Sequence, residues 1–414
     1  MNVRLNAKEI NLNSKIEITG SKSETNRLLL LKALYPNIII ENASNSDDSE
    51  VMNSALTSNN QTIDVHHAGT AMRFLTAYFA SQENKTVTLT GSSRMKERPI
   101  IILVDALIQL GAKIEYLEND GFPPIKIKGQ KLTATRVLLQ ANVSSQYISA
   151  LLLIAPSLPN GLELVLIGEI TSFSYINMTL KLLQEIGVET SFIGNSIIVK
   201  SKTQDSNLKT IIVESDWSSA SYYYSIIALS KEGTQIALSS FKENSFQGDA
   251  ILSTIYEQMG VETHFEEGKI TLIKNAKPIN QNIKLDLNSA PDIAQTIAVT
   301  AFGLGISCEL TGLHTLKIKE TDRLEALYNE LSKLGASISI TNDSLQIKPS
   351  NSINSNRNIA TYNDHRMAMA FAPLAIKMNL SIENVEVVSK SYPNFWSDLK
   401  ILGFEISEYK NGDS

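Results

Sequence analysis

The chain has 414 residues, 43% hydrophobic and 19% charged, with a formal net charge of −6. That length exceeds one ordinary hydrophobic core and favours two domains, and the acidic balance argues against general nucleic-acid binding. No apolar run approaches the ~20 residues of a membrane span, and the polar stretch Met1 to Lys15 lacks the apolar core of a secretory signal, so a cytoplasmic protein is expected.

The lone cysteine, Cys308, excludes an internal disulfide and fits a reducing compartment. Five histidines occur, with no H-E-x-x-H or C-x-x-C pattern, so neither metal nor cofactor is expected.

In chain order, Gly20-Ser21-Lys22-Ser23-Glu24-Thr25-Asn26-Arg27 precedes an apolar helix from Leu28 to Leu34. It lacks the second glycine and the G-K-[ST] order of a Walker A loop. His66 and His67 are adjacent and would point to opposite faces of a strand. Ala68-Gly69-Thr70-Ala71-Met72-Arg73 opens the next helix, with Gly69 allowing close approach of a ligand to the backbone. Arg94 to Pro99 is a basic segment before a Pro-started helix. Ser144-Ser145-Gln146 supplies neutral donors ahead of an apolar helix through Ala155. A strand is predicted over 161–167, a helix over 177–186, strands over 190–192 and 196–200, and a polar loop over 201–209.

Further on, Ser218 and Asp292 begin helices, and Cys308 lies in an apolar strand run from Gly305 to Leu310. Lys319-Glu320-Thr321-Asp322-Arg323 opens an amphipathic helix through Leu324, Leu327, Leu331 and Leu334. On a helix Lys319 and Arg323 would share a face, with Glu320 beside them. Two cations flanking a carboxylate suit an anionic substrate that must also receive a proton. Asp364-His365-Arg366 opens a further helix, and Lys390-Ser391-Tyr392-Pro393 ends a strand.

These pieces repeat. Helices stopped by glycine end at Gly111, Gly187, Gly260, Gly335 and Gly403, at steps of 76, 73, 75 and 68 residues. Polar helix starts fall at Ser21, Gly69, Ser144, Ser218, Asp292 and Asp364, with later steps of 75, 74, 74 and 72. The first step, 48, is short, so the first unit is truncated or irregular. Six α+β units in two groups of three follow, with the break near Glu214 to Asp216. Helix N-termini carry free N–H groups and partial positive charge, so several aimed together trap anions. Ordinary capping explains each start singly, but not the basic residues that accompany most of them. Only 9 of the 37 basic residues are Arg, and five of those (Arg27, Arg73, Arg98, Arg323 and Arg366) sit in such motifs.

Gly20 to Arg27, Ala68 to Arg73, Arg94 to Ile100, Lys319 to Arg323 and Tyr362 to Ala368, in order over essentially the whole chain, resemble the 5-enolpyruvylshikimate-3-phosphate synthase family. The resemblance implies an α+β fold of the inverse α/β barrel type. It has two domains, each of three βαβαββ units around a pseudo-threefold. The first domain, 21–214, would be inserted in a second formed by 1–20 and 215–414. The implied activity joins phosphoenolpyruvate to the 5-hydroxyl of shikimate 3-phosphate, releasing phosphate through a tetrahedral intermediate, in a monomer. Lys22, Ser23 and Arg27 would hold shikimate 3-phosphate. Ser144, Ser145 and Ser172 would contact its phosphate, and Gln146 its ring. Asp292 would be the base for the 5-hydroxyl, positioned with Lys319 and Thr315. Gly69, Arg98, Arg323, Arg366 and Lys390 would grip phosphoenolpyruvate, with Lys22 and Gln146 also touching it. Glu320 would protonate its methylene carbon, and Lys22 would assist at the bridging oxygen.

His67, Phe74 and Thr315 depart from the common family pattern and bear on affinity for phosphoenolpyruvate and glyphosate. Two alternatives share some of these features. A UDP-N-acetylglucosamine enolpyruvyl transferase shares the architecture but usually has a cysteine in the loop matching Gly91 to Arg98, which has none here. A non-catalytic anion-binding protein would have no use for Asp292 and Glu320.

Overall fold

The structure, a computed structural model, describes residues 1–7, 10–11, 13–141, 144–203, 207–350 and 352–409. The chain forms two compact units, Gly20–Val213 and Met1–Thr19 with Glu214–Ser414. Of the polar stretch 201–209, residues 204–206 lie outside the described residues, and Lys209 already begins a strand.

In the unit Gly20–Val213, two four-stranded sheets share one topology. Thr62–Asp64 runs parallel to Thr86–Thr90, which pairs antiparallel with Ile125–Lys128 and through it with Lys113–Tyr116. Arg136–Gln140, Leu162–Ile167, Ser196–Val199 and Thr190–Ile193 repeat that order. A parallel pair needs a long crossover, and a helix supplies it in each case: Gly69–Ala80 and Ser145–Ile154. The first repeat is cut down to helix Lys22–Leu34, strand Ile38–Glu41 and helix Asp47–Thr57. Its sheet has two strands, completed by Lys209–Ile212 from the far end of the unit. The missing strands account for the short first step in the sequence.

The other unit carries three sheets of the same order. Ser14–Ile16 lies parallel to Gln235–Ser239, which pairs with Lys269–Lys274 and then Val261–Glu266. Asn282–Asp286, Ser307–Thr311, Leu345–Ile347 and Ile338–Ile340 form the second. In the third, Arg357–Ile359 and Leu380–Ile382 are completed by the N-terminal strand Asn2–Asn6 and by Glu405–Tyr409. The start of the chain therefore closes the last repeat.

Sidedness comes from alternation. In Arg136–Gln140, Val137 and Leu139 are buried while Leu138 is 50% exposed. A one-residue slip would expose both buried side chains, each worth about 1.5–3 kcal/mol. The crossover helices Gly69–Ala80, Ser145–Ile154, Trp217–Leu229, Ala294–Leu304 and His365–Phe371 are buried on nearly every face. They form the cores of their units.

Several local expectations need correction. His66 and His67 lie in a turn, with His66 at φ 50°, not on a strand. Ser218 is inside a helix that Asp216 caps, so the helix starts earlier than its apolar run suggests. Ile100 caps the helix Ile101–Gln109, and Pro99 stays outside it. Lys390 ends a 3-10 helix, Val385–Lys390, instead of a strand. The helix expected from Lys319 begins at Arg323, because the Asp322 side chain accepts from the N–H groups of Leu324 and Glu325.

The five repeat glycines all adopt positive φ, from 82° at Gly260 to 101° at Gly111. A Cβ on Gly260 would fall on the carbonyl oxygen of Ala276, whereas one on Gly335 would meet only the Asn354 side-chain amide at 3.1 Å. Urea unfolding should therefore separate two variants of the same unit. Gly335→Ala should cost about 1 kcal/mol, and Gly260→Ala at least ~2–3 kcal/mol through added backbone collision.

Candidate active site

In the unit containing Glu214–Ser414, the site is organised around Arg323. Its position as first residue of the helix Arg323–Lys333 points it back toward the preceding chain, and it is 2% exposed. Nε donates to Asp364 at 2.7 Å, Nη1 to Asp292 at 3.0 Å and Nη2 to Glu320 at 2.9 Å. Burial alone would lower its pKa, but Asp364, Glu320 and Asp292 together overcome that and hold it above the ordinary value.

The neighbouring cations share the same carboxylates. Lys319 Nζ lies 3.4 Å from Asp292 Oδ1, and Lys390 Nζ 2.6 Å from Glu320 Oε1. Arg366 Nη1 donates to the Asp292 carbonyl at 3.0 Å, and its Nη2 lies 3.4 Å from Asp292 Oδ2. Lys319 and Glu320 precede the helix, so Lys319 reaches Asp292 and does not stack over Arg323 on a helix face. Lys319 is pushed below its usual pKa, first by burial and then by Arg323 and Arg366, with Asp292 and Glu320 opposing.

Asp292 sits in the 3-10 turn Pro291–Ile293, just before the helix Ala294–Leu304. Its side chain is committed to cations. Asp364 is a true N-cap, accepting from the Arg366 N–H at 2.9 Å while it holds Arg323. Thr315, on the 3-10 helix His314–Ile318, has a buried hydroxyl with no hydrogen-bond partner among the described residues.

The unit Gly20–Val213 carries the remaining candidates. Ser21 caps the helix Lys22–Leu34, and Lys22 Nζ lies 3.2 Å from Asp48 Oδ2. Ser23 Oγ is not used by Arg27, which instead donates Nη1 to the Ser23 carbonyl. Arg27 also donates to Thr179 at 2.7 Å and Ser149 at 3.0 Å, tying three helices together. Burial pulls its pKa down to about 10. Gly69 has a clear purpose: a Cβ there would lie 2.5 Å from Arg98 Nη1, so only glycine lets that guanidinium rest on the helix start. Arg73, by contrast, turns inward and donates to the Pro99 carbonyl at 2.9 Å.

Ser144 caps the helix Ser145–Ile154, with Ser145 buried beside it, and Gln146 Nε2 donates to Thr70 Oγ1 at 3.2 Å. That bond joins the starts of two crossover helices. Ser172 holds a left-handed conformation, φ 52°, before the helix Phe173–Glu185. Such strain in a non-glycine residue is common where a side chain is aimed at a ligand.

Three carboxylates escaped the sequence reading. Asp364 was visible as part of a helix-start motif, but not as the partner of Arg323. Asp48 looked like one of two acids opening the helix Asp47–Thr57, and nothing in the spacing pointed to Lys22. Asp249 lies on the short 3-10 helix Gly248–Ile251, with no distinguishing pattern.

Buried ion clusters cost several kcal/mol per ion in desolvation and are a poor way to gain stability. Four cations sharing acids at helix starts suit a ligand rich in phosphate and carboxylate. The fold is that of solved structures of EPSP synthase from Acinetobacter baumannii (TM-score 0.77, 20% identity, 98% of this chain and 100% of that one) and of the enolpyruvyl transferase NikO from Streptomyces tendae (TM-score 0.74, 13% identity, 98% of each).

The chain belongs to the EPSP synthase (3-phosphoshikimate 1-carboxyvinyltransferase) family, whose model matches residues 47–399. It is 46% identical over 399 residues to the 3-phosphoshikimate 1-carboxyvinyltransferase of Bacteroides fragilis, covering 95% of this chain and 96% of that protein. The enzyme of the same name from Colwellia psychrerythraea is 36% identical over 417 residues, covering 94% and 96%.

Because Asp364 is fully buried against Arg323, Asp364→Asn should lower stability in urea unfolding by about 3–5 kcal/mol, the usual cost of breaking a buried pair.

Proposed function

We propose that the protein transfers the enolpyruvyl group of phosphoenolpyruvate to the 5-hydroxyl of shikimate 3-phosphate and releases phosphate, in the cytoplasm and as a monomer. Family membership supports the overall reaction. The observation that carries the mechanism is that two carboxylates, Asp292 and Glu320, are held on one guanidinium, Arg323, at 3.0 and 2.9 Å. Acids in an anion site cost affinity for the ligand, and unlike Asp364 these two cap no helix, which favours a role for them in the chemistry.

In this reading Asp292 accepts the 5-hydroxyl proton as that oxygen attacks the central carbon of phosphoenolpyruvate, and Glu320 gives its proton to the methylene carbon. A tetrahedral phosphate ketal results. The new methyl group then returns a proton to the Glu320 carboxylate as the C–O bond to phosphate breaks, restoring the double bond and the acid. Lys22 assists the leaving bridging oxygen, and Lys319 and Thr315 position the hydroxyl. Arg323, Arg366, Lys390, Arg98, Gln146 and the Gly69 backbone take the carboxylate and phosphate of phosphoenolpyruvate. Lys22, Ser23, Arg27, Ser144, Ser145, Gln146 and Ser172 take shikimate 3-phosphate. The positive charges are already in place, so little reorganisation accompanies charge development.

The UDP-N-acetylglucosamine alternative loses support because Cys308 is buried in the strand Ser307–Thr311 and burial pushes its thiol up to about 12. Cys308 should resist a disulfide reagent at pH 8 in the folded protein and react after denaturation.

Purified protein should release phosphate with phosphoenolpyruvate and shikimate 3-phosphate, and not when UDP-N-acetylglucosamine replaces the latter. Release only with the sugar nucleotide would overturn the assignment. Asp292→Asn should cut turnover roughly 10²–10⁴-fold while leaving KM values within a few-fold, since the base acts in the transition state. Unchanged turnover would remove Asp292 from that role.

A further inference from the structure

We propose that Asp249, acting through the Ser218 hydroxyl, is a positioning residue for Arg366 and so sets affinity for phosphoenolpyruvate. The inference rests on the assignment of Arg366 to that substrate. Arg366 Nη2 donates to Ser218 Oγ at 3.3 Å, and Ser218 Oγ donates onward to Asp249 Oδ2. Asp249 is 5% exposed.

A capping role does not explain this carboxylate. The helix Trp217–Leu229 is capped by Asp216, which accepts from the Ser219 N–H at 2.8 Å, and Gln247 Oε1 accepts from the Trp217 N–H at 2.9 Å. The N–H groups of Trp217 and Ser219 are therefore satisfied without Asp249. Gln247 also donates to the Ser215 carbonyl at 2.9 Å, which anchors the segment that presents Asp249 to Ser218.

A buried carboxylate held this way is costly unless it serves a cation. The charges acting on it are Asp292, Arg366 and Asp216, and Arg366 is the cation among them. Burial, with Asp292 adding to it, pushes the Asp249 carboxyl up to about 7, while Arg366 and the Ser218 hydroxyl pull it down and favour its ionised form. The link through Ser218 is neutral and leaves the guanidinium charge available to a ligand. It also gives Arg366 an anchor separate from Asp292, whose proton state changes during the proposed reaction.

Steady-state kinetics on the full chain test this with Ser218→Ala and Asp249→Asn, each compared with Arg366→Ala. Both relay variants should raise KM for phosphoenolpyruvate roughly tenfold, the effect of losing about one charge-assisted hydrogen bond. Turnover should change less than about threefold and KM for shikimate 3-phosphate should not move. Ser218→Thr, which keeps the hydroxyl, should restore the wild-type value. Should Ser218→Ala fail to fold, Ser218→Cys carries the same comparison. If Arg366→Ala raises KM for phosphoenolpyruvate and the relay variants stay within twofold of wild type, the relay is refuted. Equal changes in both KM values and turnover would mean a purely structural role and refute it as well. If Arg366→Ala itself leaves that KM unchanged, the ligand assignment of Arg366 fails first and the inference falls with it.

Discussion

A single guanidinium shared among three acids governs this active site. Arg323 is buried, and its donors are divided among Asp364, Asp292 and Glu320. Each contact constrains a different stretch of chain: a helix cap, a 3-10 turn and the segment before the helix Arg323–Lys333. Removing any one partner would leave an underpaired charge in a low-dielectric setting, which explains why so many elements converge there. Lys319, Lys390 and Arg366 then attach to the same acids and share their charge. The result is a set of four cations on three acids, and in the proposed reaction a phosphate or carboxylate enters it by exchanging partners, with the protein dipoles already oriented.

The repeat makes that convergence affordable. Crossover helices buried on nearly every face leave their N-termini as the polar outlets of each unit's core. In the unit Gly20–Val213 the same logic yields different chemistry. The Gln146 to Thr70 bond joins two helix starts, and the Arg27 bonds to Ser149 and Thr179 tie three helices together along their lengths. Glycine at position 69 gives Arg98 its seat. One half of the chain thus offers mostly neutral donors with a few cations, and the other a dense lattice of ions.

Much of this architecture was legible in the residues. Glycine at regular steps marked the ends of helices because only glycine takes positive φ there without strain, and all five adopt it. The Ala- and Leu-rich stretches behind the polar starts marked core helices. Boundaries were less legible, for a physical reason. A cap is defined by where a side chain points, so Asp216 displaced Ser218 as a helix start, and Asp322 moved Lys319 and Glu320 off the helix. Pairings across the sequence were hidden altogether. Asp48 with Lys22 and Asp249 with Ser218 are separated by 26 and 31 residues and share no periodic signal. The motif residues could be named from the sequence, but the acids that orient them come from contacts that only the fold creates.

The central claim is that anionic substrate exchanges into the ion set around Arg323. A crystal structure of Asp292→Asn with both substrates tests it most directly. The account predicts the phosphate or carboxylate oxygens of phosphoenolpyruvate within hydrogen-bonding distance of Arg323, Arg366 and Lys390, with Asp364 still holding Arg323. Substrate bound away from these three cations, while they keep only their carboxylate partners, would contradict it.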